Sequence, residues 1–195
     1  MTLMAKLKLM SRRFARDESG SMVAEGVMAF TLLIWWYMAS FTFFDALRQK
    51  NINLKAAYTV ADMVSRETTA INSAYIKGLN TVFDYLTSSR QATWLRVTSV
   101  EWDEPTKSNL VVWSCTSDPA KPKQDNSTIG ALKNRIPVMP DGDTVIVMET
   151  FMAFTPVFRI GNGPANYGML DPSWFGTFIT TRPRFASQVV LSGTC

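Results

Sequence analysis

The chain has 195 residues and a formal net charge of +4, enough for one modest globular domain with appendages and too short for two full domains. Residues 1–20 carry five basic and two acidic side chains, a net +3, whereas residues 21–195 carry fifteen basic and fourteen acidic, a net +1; no basic patch is left over that would point to nucleic acid. Histidine is absent, which removes the commonest general base and the commonest metal ligand, so neither an enzyme nor a metal or other cofactor is expected.

The first 20 residues form a basic leader, with Lys6, Lys8, Arg12, Arg13 and Arg16, closing on Asp17-Glu18-Ser19-Gly20. Glu25 follows, and then residues 26–44 carry no charge over 19 positions, close to the ~20 needed to cross ~30 Å of hydrocarbon. A carboxylate in the bilayer core costs ~2.5–3.5 kcal/mol on the lowest scales, so a functional role is the default for Glu25. The plainer alternative is a carboxylate that reaches the headgroups from the start of the helix. Five basic residues precede the span and Asp45, Arg48 and Lys50 follow it, which places the N-terminus in the cytoplasm and the bulk of the chain outside. The apolar core is longer than that of a cleaved secretory signal and begins beside Glu25, and no Cys near the leader allows a lipoprotein. Trp35-Trp36-Tyr37 falls mid-span rather than at an interface.

Residues 45–89 read as a continuation of the same helix, an amphipathic stalk. They contain no Pro, and Leu47, Leu54, Tyr58, Ala61, Val64, Ile71, Tyr75, Leu79, Val82 and Leu86 recur at helical spacing. Gly78 and the Asn residues near Lys50 are its weak points. Residues 93–102 and 110–115 are rich in β-branched and aromatic residues around a polar turn, which predicts a hairpin. A polar excursion with a short helix near 129–134 leads to Pro140-Asp141-Gly142-Asp143, a turn rather than a cation loop. That turn launches a strand over 144–158. Glu149 within it is expected at the solvent edge or paired with an Arg. After a loop at Gly161-Asn162-Gly163-Pro164, residues 175–181 and 186–191 supply one or two final strands. The fold class is therefore α+β: a long N-terminal helix packed on a C-terminal antiparallel sheet over 90–195.

Two cysteines, Cys115 and Cys195, lie in the part assigned outside the cytoplasm. In an oxidising compartment they read as one disulfide, closing a loop of 80 residues worth up to roughly 4–5 kcal/mol in the chain-entropy picture. Two separate reduced thiols are the alternative.

The order of basic leader, Gly20, Glu25, apolar helix, amphipathic helix and sheet resembles type IV pilin-like subunits, and most closely the TadE-like minor pilins (pseudopilins) of the bacterial Tad/Flp pilus system. The stretches that carry the resemblance are Arg13-Phe14-Ala15-Arg16-Asp17-Glu18-Ser19-Gly20 with Glu25, then 58–67 with 79–86, then 145–156. In that family Glu25 is usually followed by an aromatic, where this chain has Gly26. The resemblance implies cleavage between Gly20 and Ser21 by a prepilin peptidase, a mature chain of residues 21–195, and pairing of Glu25 with the new α-amino group of a neighbouring subunit. Its partners would be the peptidase, other pilin and pseudopilin subunits, and the assembly platform of the inner membrane. The competing expectation is an unprocessed single-span protein whose extracytoplasmic domain binds a ligand or envelope partner.

Overall fold

The computed structural model describes residues 10, 11, 13, 21–88, 91–158 and 170–195; Gly20, most of the leader and the expected loop at 161–164 lie outside these. The chain divides into two compact units, Met1–Phe44 and Asp45–Cys195.

In the first unit the described structure is almost wholly helical. Its residues from Ser21 onward belong to α1 (Ser21–Ser65), which is long and apolar enough to cross a membrane. Only 6% of its most apolar 18-residue stretch is buried, unlike a core helix of a soluble protein, which is covered by its neighbours. Trp35, Trp36 and Tyr37 are all more than half exposed.

In the second unit, the later part of α1 and α2 (Ser73–Thr87) lie on one face of a four-stranded antiparallel sheet. The single helix expected through residue 88 is interrupted at residues 66–72. α1 closes with short-range bonds from Arg66 N to Met63 O and from Glu67 N to Val64 O. Ile71 then exchanges backbone bonds with the C-terminal segment, its N–H to Val190 O and its carbonyl to Ser192 N. Asn72 restarts the helix: its backbone is extended and its side chain accepts from Tyr75 N at 2.9 Å, a capping geometry worth ~1 kcal/mol. The Tyr75 hydroxyl bonds Glu67 across this corner at 2.9 Å, and burial, reinforced by that bond, raises its pKa above the ordinary value. Gly78 and Asn53, named as weak points, are both inside helices. A helical Gly costs only about 1 kcal/mol, less than the caps and backbone bonds gathered at residues 66–72.

The buried face of α1 is also rotated from the expected stripe. Ala61 and Val64 of that stripe are buried as expected and are joined by Ala56, Ala57 and Val60, while Leu47, Leu54 and Tyr58 are exposed. Small side chains let the helix approach the strands closely enough for Asn53 to bridge to them. Its amide donates to Phe175 O at 3.0 Å and accepts from the Thr150 hydroxyl at 3.1 Å, so a residue that weakens an isolated helix is here a buried anchor. From α2 come Ile76, Leu79 and Phe83, which meet Leu95, Val97, Ile146, Met148 and Ile179 of the sheet.

The strands are β1 (Thr93–Asp103), β2 (Ser108–Thr116), β3 (Thr144–Phe154) and β4 (Ser173–Thr181), in the order β2-β1-β3-β4. The expected hairpin is β1 with β2. Its irregularity between Ser99 and Val100 adds local twist. Residues 186–191, expected as a strand, form only the bridge between Leu191 and Ile71. The second face of the sheet is covered in part by the β2–β3 connection, where α3 (Asn126–Gly130) and a 3-10 turn (Lys133–Arg135) place Ile129, Ile136 and Met139 over Val100, Val145 and Val147. Asp125 caps α3 with its carboxylate on Thr128 N at 2.8 Å. With both faces covered, the central strands β1 and β3 are buried along most of their length.

The sequence Asp141-Gly142-Asp143 is the strand-launching turn expected of it. Gly142 has φ +70, a conformation that favours glycine. The Asp141 carboxylate accepts from Glu104 N at 3.0 Å, and Asp143 pairs with Arg182 at 2.9 Å.

Candidate functional site

Among the described residues, three regions hold groups able to do chemistry. In the first unit, Ser21 and Glu25 are four residues apart on α1, and the Ser21 hydroxyl donates to the Glu25 carboxylate at 2.7 Å. Both are exposed. Helical spacing of four stacks the two side chains on one face. Apart from Glu25, α1 has no ionisable side chain before Tyr37 and no charged one before Asp45.

In the second unit Cys115 and Cys195 form a disulfide, with Cα atoms 5.5 Å apart. It ties the last residue of the chain to the end of β2, and the Lys123 ammonium donates to the Cys195 carbonyl. Cys115 itself is fully buried in the helix-side core.

The third region is on the sheet face away from the helices. Cross-strand register sets Arg96 opposite Glu149, and Trp94 opposite Phe151. Arg96 grips Glu149 with two bonds, Nε to Oε2 at 2.7 Å and Nη2 to Oε1 at 2.9 Å, and its Nη1 donates to Pro122 O at 2.7 Å. Gln124 Nε2 adds a donor to Glu149 Oε2 at 3.0 Å. Glu149 is thus Arg-paired, and it is buried rather than at a solvent edge. A bidentate guanidinium offsets much of the cost of removing that carboxylate from water.

Beside this pair the rings of Trp94 and Phe151 stack at 3.9 Å, nearly parallel. On β4 the residue opposite Phe151 is Gly176 and the one opposite Glu149 is Phe178. The missing side chain at Gly176 leaves a slot of about 130 Å³ lined by Arg135, Glu149, Phe151, Gly176, Thr177 and Phe178. The Arg135 guanidinium lies 4.1 Å from the centre of the Phe178 ring, and among the described residues it has no hydrogen-bond or ion-pair partner. A larger hollow, about 230 Å³ by Tyr58 and Ile179, offers less. Its carboxylate is already paired: Asp62 accepts a hydrogen bond from Arg66 Nε at 2.8 Å and lies 2.9 Å from Arg184 Nη2 as an ion pair.

Sequence reasoning named Glu149 and the cysteines but missed Arg96, Gln124, Arg135 and Gly176. An Arg and a Glu inside apolar strands signal a buried partner for each; which two meet depends on register. No group of three or more Asp, Glu or Cys side chains able to hold a metal occurs among the described residues. Comparison with protein-family models, with characterised proteins and with solved structures found no match.

Proposed function

We propose that the chain is a minor pilin-like subunit of the Tad/Flp class, cut by a prepilin peptidase between Gly20 and Ser21 and contributing to pilus assembly. The mature protein is then residues 21–195, held in the bacterial inner membrane by α1 with its sheet domain in the periplasm. Its partners are the peptidase, other pilin and pseudopilin subunits and the assembly platform. The observation that carries this reading is Glu25, a lone carboxylate at the start of an apolar helix, within hydrogen-bond reach of Ser21. Cleavage before Ser21 creates an α-amino cation. In low dielectric that cation and a neighbouring subunit's Glu25 each relieve an otherwise unpaired charge. A disulfide in the sheet domain agrees with an oxidising compartment.

The test is Glu25→Ala in the producing bacterium. The variant is expected to insert in the membrane at normal levels and to abolish or sharply reduce surface pili. Wild-type pilus numbers from Glu25→Ala would remove the charge-pairing role.

A further inference from the structure

We propose that the slot on the outer sheet face is a binding site for one acidic sugar unit, a hexuronate within a glycan. A hexuronate ring presents an apolar C–H face, several hydroxyls and one carboxylate, and the slot offers a complement to each. The Phe151 ring, braced on its far side by Trp94, supplies an apolar wall. The Glu149 carboxylate, oriented by Arg96 and Gln124, retains acceptor capacity on Oε1 for sugar hydroxyls, because that oxygen has one bond where Oε2 has two. Arg135 supplies a flat guanidinium, oriented by Phe178 and free of other partners among the described residues. A guanidinium recognises a planar carboxylate through two parallel N–H bonds.

Size and charge narrow the class further. The slot's ~130 Å³ is well below the roughly 300–1,000 Å³ of sites that engulf a drug-sized ligand, so it takes one ring rather than an elongated molecule. Lys121 stands nearby between Trp94 and Trp174, 5.8 and 5.6 Å from their ring centres. With Arg96 neutralised by Glu149, the local excess is positive and suits an anion. The buried carboxylate at the slot disfavours a densely charged polyphosphate. Gly176 keeps the slot open: a Cβ there would already touch the Phe151 ring at 3.5 Å.

This proposal rests on the sheet domain and is independent of how the N-terminus is processed. The test is calorimetric titration of the full chain in lipid nanodiscs with trigalacturonate and, as the neutral counterpart, maltotriose. Trigalacturonate is expected to bind at least about tenfold more tightly, the factor that 1.4 kcal/mol corresponds to. Arg135→Gln, an exposed position, should bring the two sugars to similar affinity. Gly176→Val should abolish trigalacturonate binding with the thermal midpoint unchanged or raised, since a β-branched residue suits a strand. No measurable binding of trigalacturonate, equal binding of both sugars by the wild type, or full binding by Arg135→Gln would each overturn the proposal. If Gly176→Val fails to fold, the Arg135→Gln comparison decides alone.

Discussion

Arg96 and Glu149 stand opposite each other on β1 and β3 and share two hydrogen bonds of 2.7 and 2.9 Å, with about nine-tenths of each side chain buried. The pair fixes the register of the two central strands, because a slip by one residue would turn the slipped strand's charge toward the helix-side core and away from its partner. Removing one partner strands the other's charge. Glu149→Ala or Arg96→Ala is therefore expected to destabilise the sheet domain by ~3–5 kcal/mol. The double replacement Arg96→Met with Glu149→Leu should recover much of that loss. Denaturant unfolding of the full chain in micelles, read by near-ultraviolet circular dichroism, measures both. Single variants as stable as the wild type would contradict the assignment.

The disulfide between Cys115 and Cys195 spans 80 residues and anchors the C-terminal segment whose backbone pairs with Ile71 at the helix corner. Cys115→Ser or Cys195→Ser should cost ~2–5 kcal/mol. Reductant should lower the thermal midpoint of the wild type and leave that of either variant unchanged. Equal reductant sensitivity in all three would show that the cysteines do not stabilise the fold through a bond.

Asp125 gives a pH dependence of known sign. Its carboxylate accepts from the Ser127 hydroxyl at 2.6 Å and the Thr128 amide at 2.8 Å; these bonds, the Ser127 one foremost, lower its pKa from 3.8 to about 2. A folded value below the unfolded one means that protons favour the unfolded chain. The cap on α3 is thus at full strength above the ordinary value and weakens as pH falls from 3.8 to about 2. Carboxyl-detected NMR titration should place the Asp125 midpoint near the lower figure, and Asp125→Asn should remove the transition. A midpoint at the ordinary value would mean that the cap does not form.

Much of the architecture was legible in the sequence because it follows from local pattern. The β1–β2 hairpin, the Gly142 turn and the start of β3 all depend on residues near in the chain. What stayed hidden depends on distant partners. The helix break at residues 66–72 requires the C-terminal segment to satisfy Ile71, and no periodicity reports that. The rotation of α1 follows from Asn53 reaching Thr150 and Phe175, 97 and 122 residues away. Leu47, Leu54 and Tyr58 read as core by hydrophobicity, yet Ala56, Ala57 and Val60 are buried in their place. At the outer face, the sequence leaves a solvent edge and an Arg partner both open for Glu149, and only the register of β1 on β3 decides for Arg96. The slot beside it exists because Gly176 falls opposite Phe151, 25 residues away in the chain, a consequence of register rather than of any motif.

The claim of proteolytic maturation at the Gly20–Ser21 bond is tested most directly by the N-terminus itself. Intact-mass and N-terminal sequence analysis of the membrane-extracted protein, from cells with and without the prepilin peptidase, gives the answer. The account predicts a chain beginning at Ser21 when the peptidase is present and retention of residues 1–20 when it is absent. A chain that keeps residues 1–20 in both cases would contradict it.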